Sequence, residues 1–104
     1  MTATMSKPPL PDAEVKAFLD RHPGWSKDEK GMLVRTFEAR TFLEGIAFVD
    51  KVAKVAEALD HHPDIDIRWR KVTLRLITHD AGNRLTELDT RVAADASKLF
   101  ESHP

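Results

Sequence analysis

The chain has no cysteine among its 104 residues. Disulfides, thiolate catalysis and cysteine zinc sites are therefore excluded. It also lacks a charge of one sign, since sixteen Lys and Arg stand against seventeen Asp and Glu. Domains devoted to nucleic acid are usually basic, so no direct nucleic-acid binding is expected. No apolar run approaches the roughly 18 to 20 residues of a membrane span, so no membrane role is expected. Met1 to Pro9 carries small and polar residues and two prolines where a secretory signal would carry an apolar stretch. Residues 1–9 read as a flexible tail, residues 10–104 as a single domain, and a cytoplasmic setting is the expectation. There is no internal repeat and no low-complexity segment.

Histidine is what the chain does have. Asp60-His61-His62-Pro63 closes a helical pattern, and Thr78-His79-Asp80 closes a strand pattern. An unperturbed imidazole titrates near 6.5, so it both gives and takes protons near neutral pH. Three of them at the ends of rigid elements point to proton-transfer chemistry, and activity resting on them should fall in acid.

The rest of the pattern supplies a scaffold. Pro11-Asp12 opens a helix with Val15, Phe18 and Leu19 on one side; Asp12 is positioned to cap it, and Pro23-Gly24 stops it. Ser26 to Gly31 resembles a hairpin turn, and Met32 to Ala39 a strand whose inner face, Leu33 and Phe37, is interrupted by Arg35. Thr41 to Asp60 is the clearest element. Thr41 and Glu44 fit a capping box, and Phe42, Ile46, Val49, Val52, Ala53, Ala56 and Leu59 recur at helical spacing. Pro63 prevents continuation.

From Asp64 the period changes to two. Ile65, Ile67 and Trp69 alternate with charged residues; after Arg70-Lys71, Val72, Leu74 and Leu76 alternate up to Thr78. A strand that persisted to its end would point His79 to the opposite face. Gly82 marks a loop, and a last helix starts near Leu85 or Thr86, with Leu88, Val92, Ala96 and Leu99 on one stripe. The order α-β-β-α-β-β-α predicts an α+β domain: a four-stranded antiparallel sheet with three helices on one face.

Glu57-x-x-Asp60-His61-His62-Pro63, the aromatic Trp69, Thr78-His79-Asp80-Ala81-Gly82 and Leu85-Thr86-x-x-Asp89 together resemble the pterin-4a-carbinolamine dehydratase family. The likeness runs from about Trp25 to about Ala96. Asn83 departs from it, standing where many relatives carry a small residue; Trp69 stands where tyrosine is frequent. The resemblance implies elimination of water from a 4a-hydroxytetrahydropterin, with no cofactor and no metal, the pterin being the substrate. The missing glycine-rich phosphate loop is consistent with that. It makes His61, His62, His79 and Asp89 the candidate catalytic residues, Asp89 by orienting a histidine. It assigns pterin contacts to Asp60, His61, His62, Pro63, Ile77, Thr78, His79 and Asp80. It also implies a homodimer or homotetramer, for which an exposed strand edge is a natural place.

Each residue taken singly has a plainer reading. His61 and His62 suit a solvated helix end, where the macrodipole favours them. Asp89 suits a helix cap, Trp25 and Trp69 suit a core, and Glu57 an exposed helix surface. His22 and His103 read as incidental. It is the joint pattern that favours chemistry. Adjacent histidines also fit helical zinc spacing poorly, since such motifs use i and i+4. Relatives of this fold act as a dimerisation cofactor of a transcription factor or as assembly factors, so a non-catalytic role with a protein partner is the alternative. A chain that had abandoned catalysis would tolerate loss of the histidines, and all three are present.

Overall fold

The computed structural model describes residues 7–101. Residues 1–6, most of the expected tail, and His103 lie outside them. The elements are α1 (Asp12–Arg21), β1 (Ser26–Lys27), β2 (Leu33–Glu38), α2 (Phe42–Leu59), β3 (Asp64–Arg68), β4 (Lys71–Leu76) and α3 (Glu87–Glu101), with a 3-10 turn at His79–Ala81. This is the expected α-β-β-α-β-β-α order. All strand pairs are antiparallel and the sheet order is β1-β2-β4-β3, so β2 and β4 are central and β3 is an edge.

The register explains where the core sits. Leu33 pairs with Leu76 and Phe37 with Val72, with Arg35 opposite Leu74 between them. Paired residues share a face, so these apolar side chains form one layer, and none exceeds 1% exposure. Helices cover that layer through Val15 and Phe18 of α1, Phe48, Val52 and Ala56 of α2, and Val92, Ala93 and Ala96 of α3. The opposite face carries Thr36 and Thr73, whose exposed hydroxyls lie 2.8 Å apart.

Several local expectations are corrected. Pro11, not Asp12, stands at the N-cap of α1, without a side-chain cap bond; Asp12 and Glu14 occupy the first turn, where carboxylates favour the dipole. Ser26–Lys27 is strand rather than turn; two exposed polar residues carry no alternation by which to recognise it. In α2 the inward line is Gly45, Phe48, Val52 and Ala56. Phe42 and Ile46, expected inside, are 46% and 37% exposed, and Ala53 is exposed as well. The helix carries two apolar stripes, and the one holding the small Gly45 lies against the sheet, with room for only a methyl before Val72. Trp69 neither continues β3 nor joins the core. It takes a left-handed φ of 54° at the hairpin tip, 71% exposed, with the Arg70 guanidinium 4.5 Å from its ring.

Arg35 keeps its place on the inner face through its partners. Its guanidinium lies 4.3 Å from the Phe37 ring centroid, and Nη1 donates to Ser97 Oγ at 2.9 Å. Burial lowers its pKa, with Glu101 opposing. Ser97 Oγ also accepts from Trp25 Nε1 at 2.8 Å, and Trp25 is a core residue at 3% exposure. Ser97→Ala would strand that indole N–H, and a loss of about 1–3 kcal/mol is expected. A urea titration of the two proteins reads it directly; an unchanged midpoint would show that Ser97 is dispensable.

Candidate active site

The site forms where α2 ends, β4 ends and α3 begins. Asp60 terminates α2 in the left-handed region, φ 51° and ψ 43°, a conformation an aspartate tolerates. The chain reverses there: Asp60 N–H donates to Glu57 O and His61 N–H to Ala56 O. This reversal sends the two neighbouring imidazoles apart. His61 turns inward to 9% exposure, while His62 turns outward and places Nε2 2.8 Å from Glu57 Oε1.

Behind His61 lies Asp89, with no exposed surface. Its Oδ1 accepts from His61 Nε2 at 2.6 Å. Its Oδ2 accepts from Thr78 Oγ1 at 2.7 Å and from the Thr86 N–H at 2.8 Å. Thr78 and Thr86 hydroxyls lie 2.8 Å apart, and Thr86 Oγ1 accepts from Leu88 N at 3.2 Å. One proton assignment satisfies this network. The Thr78 hydrogen goes to Asp89, so Thr86 donates to Thr78, and Asp89 accepts throughout as a carboxylate. His61 therefore carries its proton on Nε2, and Nδ1 has no protein partner among the described residues. The two oxygens of Asp89 thus divide their contacts: Oδ2 closes the first turn of α3 and Oδ1 accepts from His61.

His79 arrives differently from the expected strand end. β4 stops at Leu76. Thr78 and Arg84 exchange backbone bonds at 3.1 and 3.3 Å, and Gly82 adopts φ 74°. The closed loop makes His79 the first residue of a 3-10 turn, so strand alternation no longer decides its direction. Asn83, the departure in the motif, places Oδ1 2.8 Å from His79 Nδ1.

A cleft of about 460 Å³ opens among these residues, lined by Asp60, His61, His62, Ile77, Thr78, His79 and Asp80, with Lys7, Leu59 and Leu88. The three histidines thus share one cavity. Pro63 is half-buried and outside the lining; its place is at the entry to β3. Asp89 is outside the lining and touches the cleft through His61 and Thr78. Lys7, Leu59 and Leu88 were not expected there. Lys7 fell in the presumed tail, yet it is ion-paired to Glu87 at 2.8 Å; the two leucines belong to helical stripes. Glu57 is exposed, as its plain reading has it, and also pairs with His62. Among the described residues no three His, Asp or Glu side chains converge as metal ligands. No helix is long and apolar enough to cross a membrane among them either.

These features define a small α+β domain with a histidine–carboxylate site. Comparison with known proteins gives it a family. Residues 8–99 match the model of pterin 4 alpha carbinolamine dehydratase. A Chloroflexus aurantiacus protein is 52% identical over 89% of this chain and 98% of its own. One from Mycolicibacterium smegmatis is 47% identical over 88% and 95%. Both are named "Putative pterin-4-alpha-carbinolamine dehydratase". The crystal structure of a transcriptional coactivator/pterin dehydratase from Brucella melitensis superposes with a TM-score of 0.83 at 31% identity, covering 88% of this chain and 98% of that one. A pterin dehydratase-like RuBisCO assembly factor of the alpha-carboxysome superposes at 0.64 with 25% identity, covering 76% and 92%. The chain belongs to the pterin-4a-carbinolamine dehydratase family.

Proposed function

We propose that this protein is a hydro-lyase that eliminates water from 4a-hydroxytetrahydropterins, giving the quinonoid dihydropterin in tetrahydrobiopterin or related pterin recycling in the cytoplasm. The observation that carries this reading is the buried Asp89–His61 pair, facing a cleft that also holds His62 and His79. The N5 lone pair of the pterin expels the C4a hydroxyl, which leaves as water once protonated, and N5 then loses its proton. The site must supply one proton and accept one, and neither step calls for a metal or other cofactor. His61 presents Nδ1 to the substrate, with Asp89 behind it compensating the charge that arrives with a proton. We assign it the N5 proton, and assign protonation of the hydroxyl to His62 or His79. Backbone and side chains of Asp60, Ile77, Thr78 and Asp80 surround the pterin edge, and Pro63 acts by fixing the turn.

The test is the rate of dehydration of freshly generated 4a-hydroxytetrahydropterin, followed by ultraviolet absorbance. Acceleration over buffer is expected. No acceleration by folded protein would sink the proposal and favour the non-catalytic reading, an assembly or dimerisation partner. The exposed Phe42, Leu43 and Trp69 would serve that role.

Asn83 is a positioning residue in this scheme. An amide oxygen accepting from Nδ1–H orients the His79 ring, so that Nε2 is the atom left to carry the proton for the departing hydroxyl. Asn83→Ala is expected to lower kcat about threefold to tenfold, the worth of one hydrogen bond of about 1 kcal/mol, with KM nearly unchanged. An unaltered kcat would remove Asn83 from the scheme.

We also propose self-association as a homodimer or homotetramer. Phe42, Leu43 and Ile46 leave an apolar outer stripe on α2, and Ile65 and Ile67 are over a third exposed on the edge strand β3, which has unpaired backbone groups. Light scattering should return two or four times the chain mass; a monomer at micromolar concentration would overturn this.

A further inference from the structure

We propose that the groove beside the candidate active site is a subsite for an anionic, aryl-bearing substituent of the pterin, so that folate-type pterins belong to the substrate class. This rests on the dehydratase reading above. The groove, about 530 Å³, lies between the end of α1 and the first turns of α3. It shares Lys7, Leu59 and Leu88 with the histidine cleft, so the two make one trough with a leucine saddle between them. Each part is of a size that takes a small ligand, roughly 300–1,000 Å³.

The two parts differ in charge. The histidine cleft holds Asp60 and Asp80. The groove holds three cations, Lys7, Arg21 and Arg91, against one carboxylate, Glu87. That carboxylate is already engaged by Lys7 at 2.8 Å. Arg21 makes no ion pair or side-chain hydrogen bond among the described residues. A positive lining on a chain with formal net charge −1 is a local arrangement that attracts an anion. The floor adds a second preference. The Phe18 and His22 rings stack with centroids 4.3 Å apart, and His22 is only half-buried, leaving a flat edge for an aryl group.

A pterin held by the histidines must let its side chain leave the cleft. A short neutral chain ends near Leu59 and Leu88. An aryl-carboxylate chain crosses them, rests on the His22 side and brings its carboxylates to Arg21 and Arg91. The chemistry selects carboxylate at the end of a flat linker, a combination found on folate-type pterins and absent from those with short hydroxyalkyl chains.

Calorimetric titration of the protein with 7,8-dihydrobiopterin, 7,8-dihydropteroate and 7,8-dihydrofolate tests this. Dihydrofolate should bind about threefold to tenfold more tightly than dihydrobiopterin, the scale of two solvent-exposed charge contacts, with dihydropteroate between them. Added salt should narrow the gap. In the double variant Arg21→Glu/Arg91→Glu the ratio should fall to one or below. Both arginines are exposed, so the variant is expected to fold, with a slightly lower melting temperature from a carboxylate in the last turn of α1 and another beside Glu87. Equal affinities in the wild type, or a preference that survives charge reversal, would overturn the subsite alone. Failure of folded protein to bind any of the three pterins would overturn the dehydratase reading and the subsite with it.

Discussion

Replacing His61 by alanine is expected to lower dehydration by about a hundredfold to ten-thousandfold, the usual range for a lost general acid or base. The effect should fall mainly on kcat, because in the proposed scheme the imidazole acts on a proton in flight more than on substrate affinity. Removing His61 also strips Asp89 Oδ1 of its partner. The space vacated opens onto the cleft, so water can replace the lost N–H, and the stability cost should stay near 1–3 kcal/mol. Far-ultraviolet circular dichroism should therefore be unchanged at room temperature. His61→Gln is the control: its amide can keep a donor toward Asp89 but cannot take up a proton. Gln restoring stability without restoring turnover would show that the proton, not the contact, is what matters. Full activity in either variant would remove His61 from the reaction. His62→Ala should cost less, since His62 and its Glu57 partner are both exposed and exposed pairs fix geometry weakly.

Much of this site was legible because its residue types and spacing are unusual together. His61 and His62 before Pro63 announce a helix end, and Asp89 three residues after Thr86 fits a helix start. The plainer readings were not wrong so much as partial: Asp89 does close the turn of α3, with one oxygen. The family resemblance implied that Asp89 orients a histidine, but nothing in the sequence said which one, and in the structure its other oxygen meets His61, 28 positions earlier. Local pattern reports on backbone neighbours, and that contact exists only after α2 and α3 pack side by side.

The misplaced elements share a physical cause. α2 carries two apolar stripes, and periodicity cannot say which one meets the sheet; packing around Gly45 decides. Trp69 continues the alternation of β3 in type but sits where the hairpin needs a left-handed residue, so turn geometry overrides its strand preference. His79 followed strand logic until the Thr78–Arg84 bridge closed its loop. Lys7 belongs to a segment with no periodicity at all, and only tertiary structure brings it to Glu87. By contrast the order of elements was readable, although the place of the two-residue β1 was not, because the long apolar repeats of α2, β4 and α3 each bury one face.

Asp89→Asn should separate stability from activity more sharply than any other single change. The asparagine oxygen can occupy the place of Oδ2 and keep accepting from Thr78 and the Thr86 N–H. Its NH2 then faces His61 Nε2, where the carboxylate used to accept. Two donors cannot face each other, so His61 must move its proton to Nδ1, the nitrogen that the proposed scheme turns toward the substrate. The imidazole is then presented in the wrong tautomer, and a protonated His61 loses its counter-charge as well. Turnover should fall by about a hundredfold to ten-thousandfold, with stability reduced by only about 1 kcal/mol. Asp89→Ala should do both kinds of damage. It leaves three donors at a fully buried point without an acceptor, and a destabilisation of about 3 kcal/mol or more is expected. Nitrogen-15 shifts of the His61 ring would report the tautomer in Asp89→Asn directly. An Asn variant that is inactive, stable and Nδ1-protonated would establish Asp89 as the residue that sets which nitrogen faces the pterin. An Asn variant that keeps its turnover would leave Asp89 with its cap alone, and the reaction would have to be carried by His62 and His79.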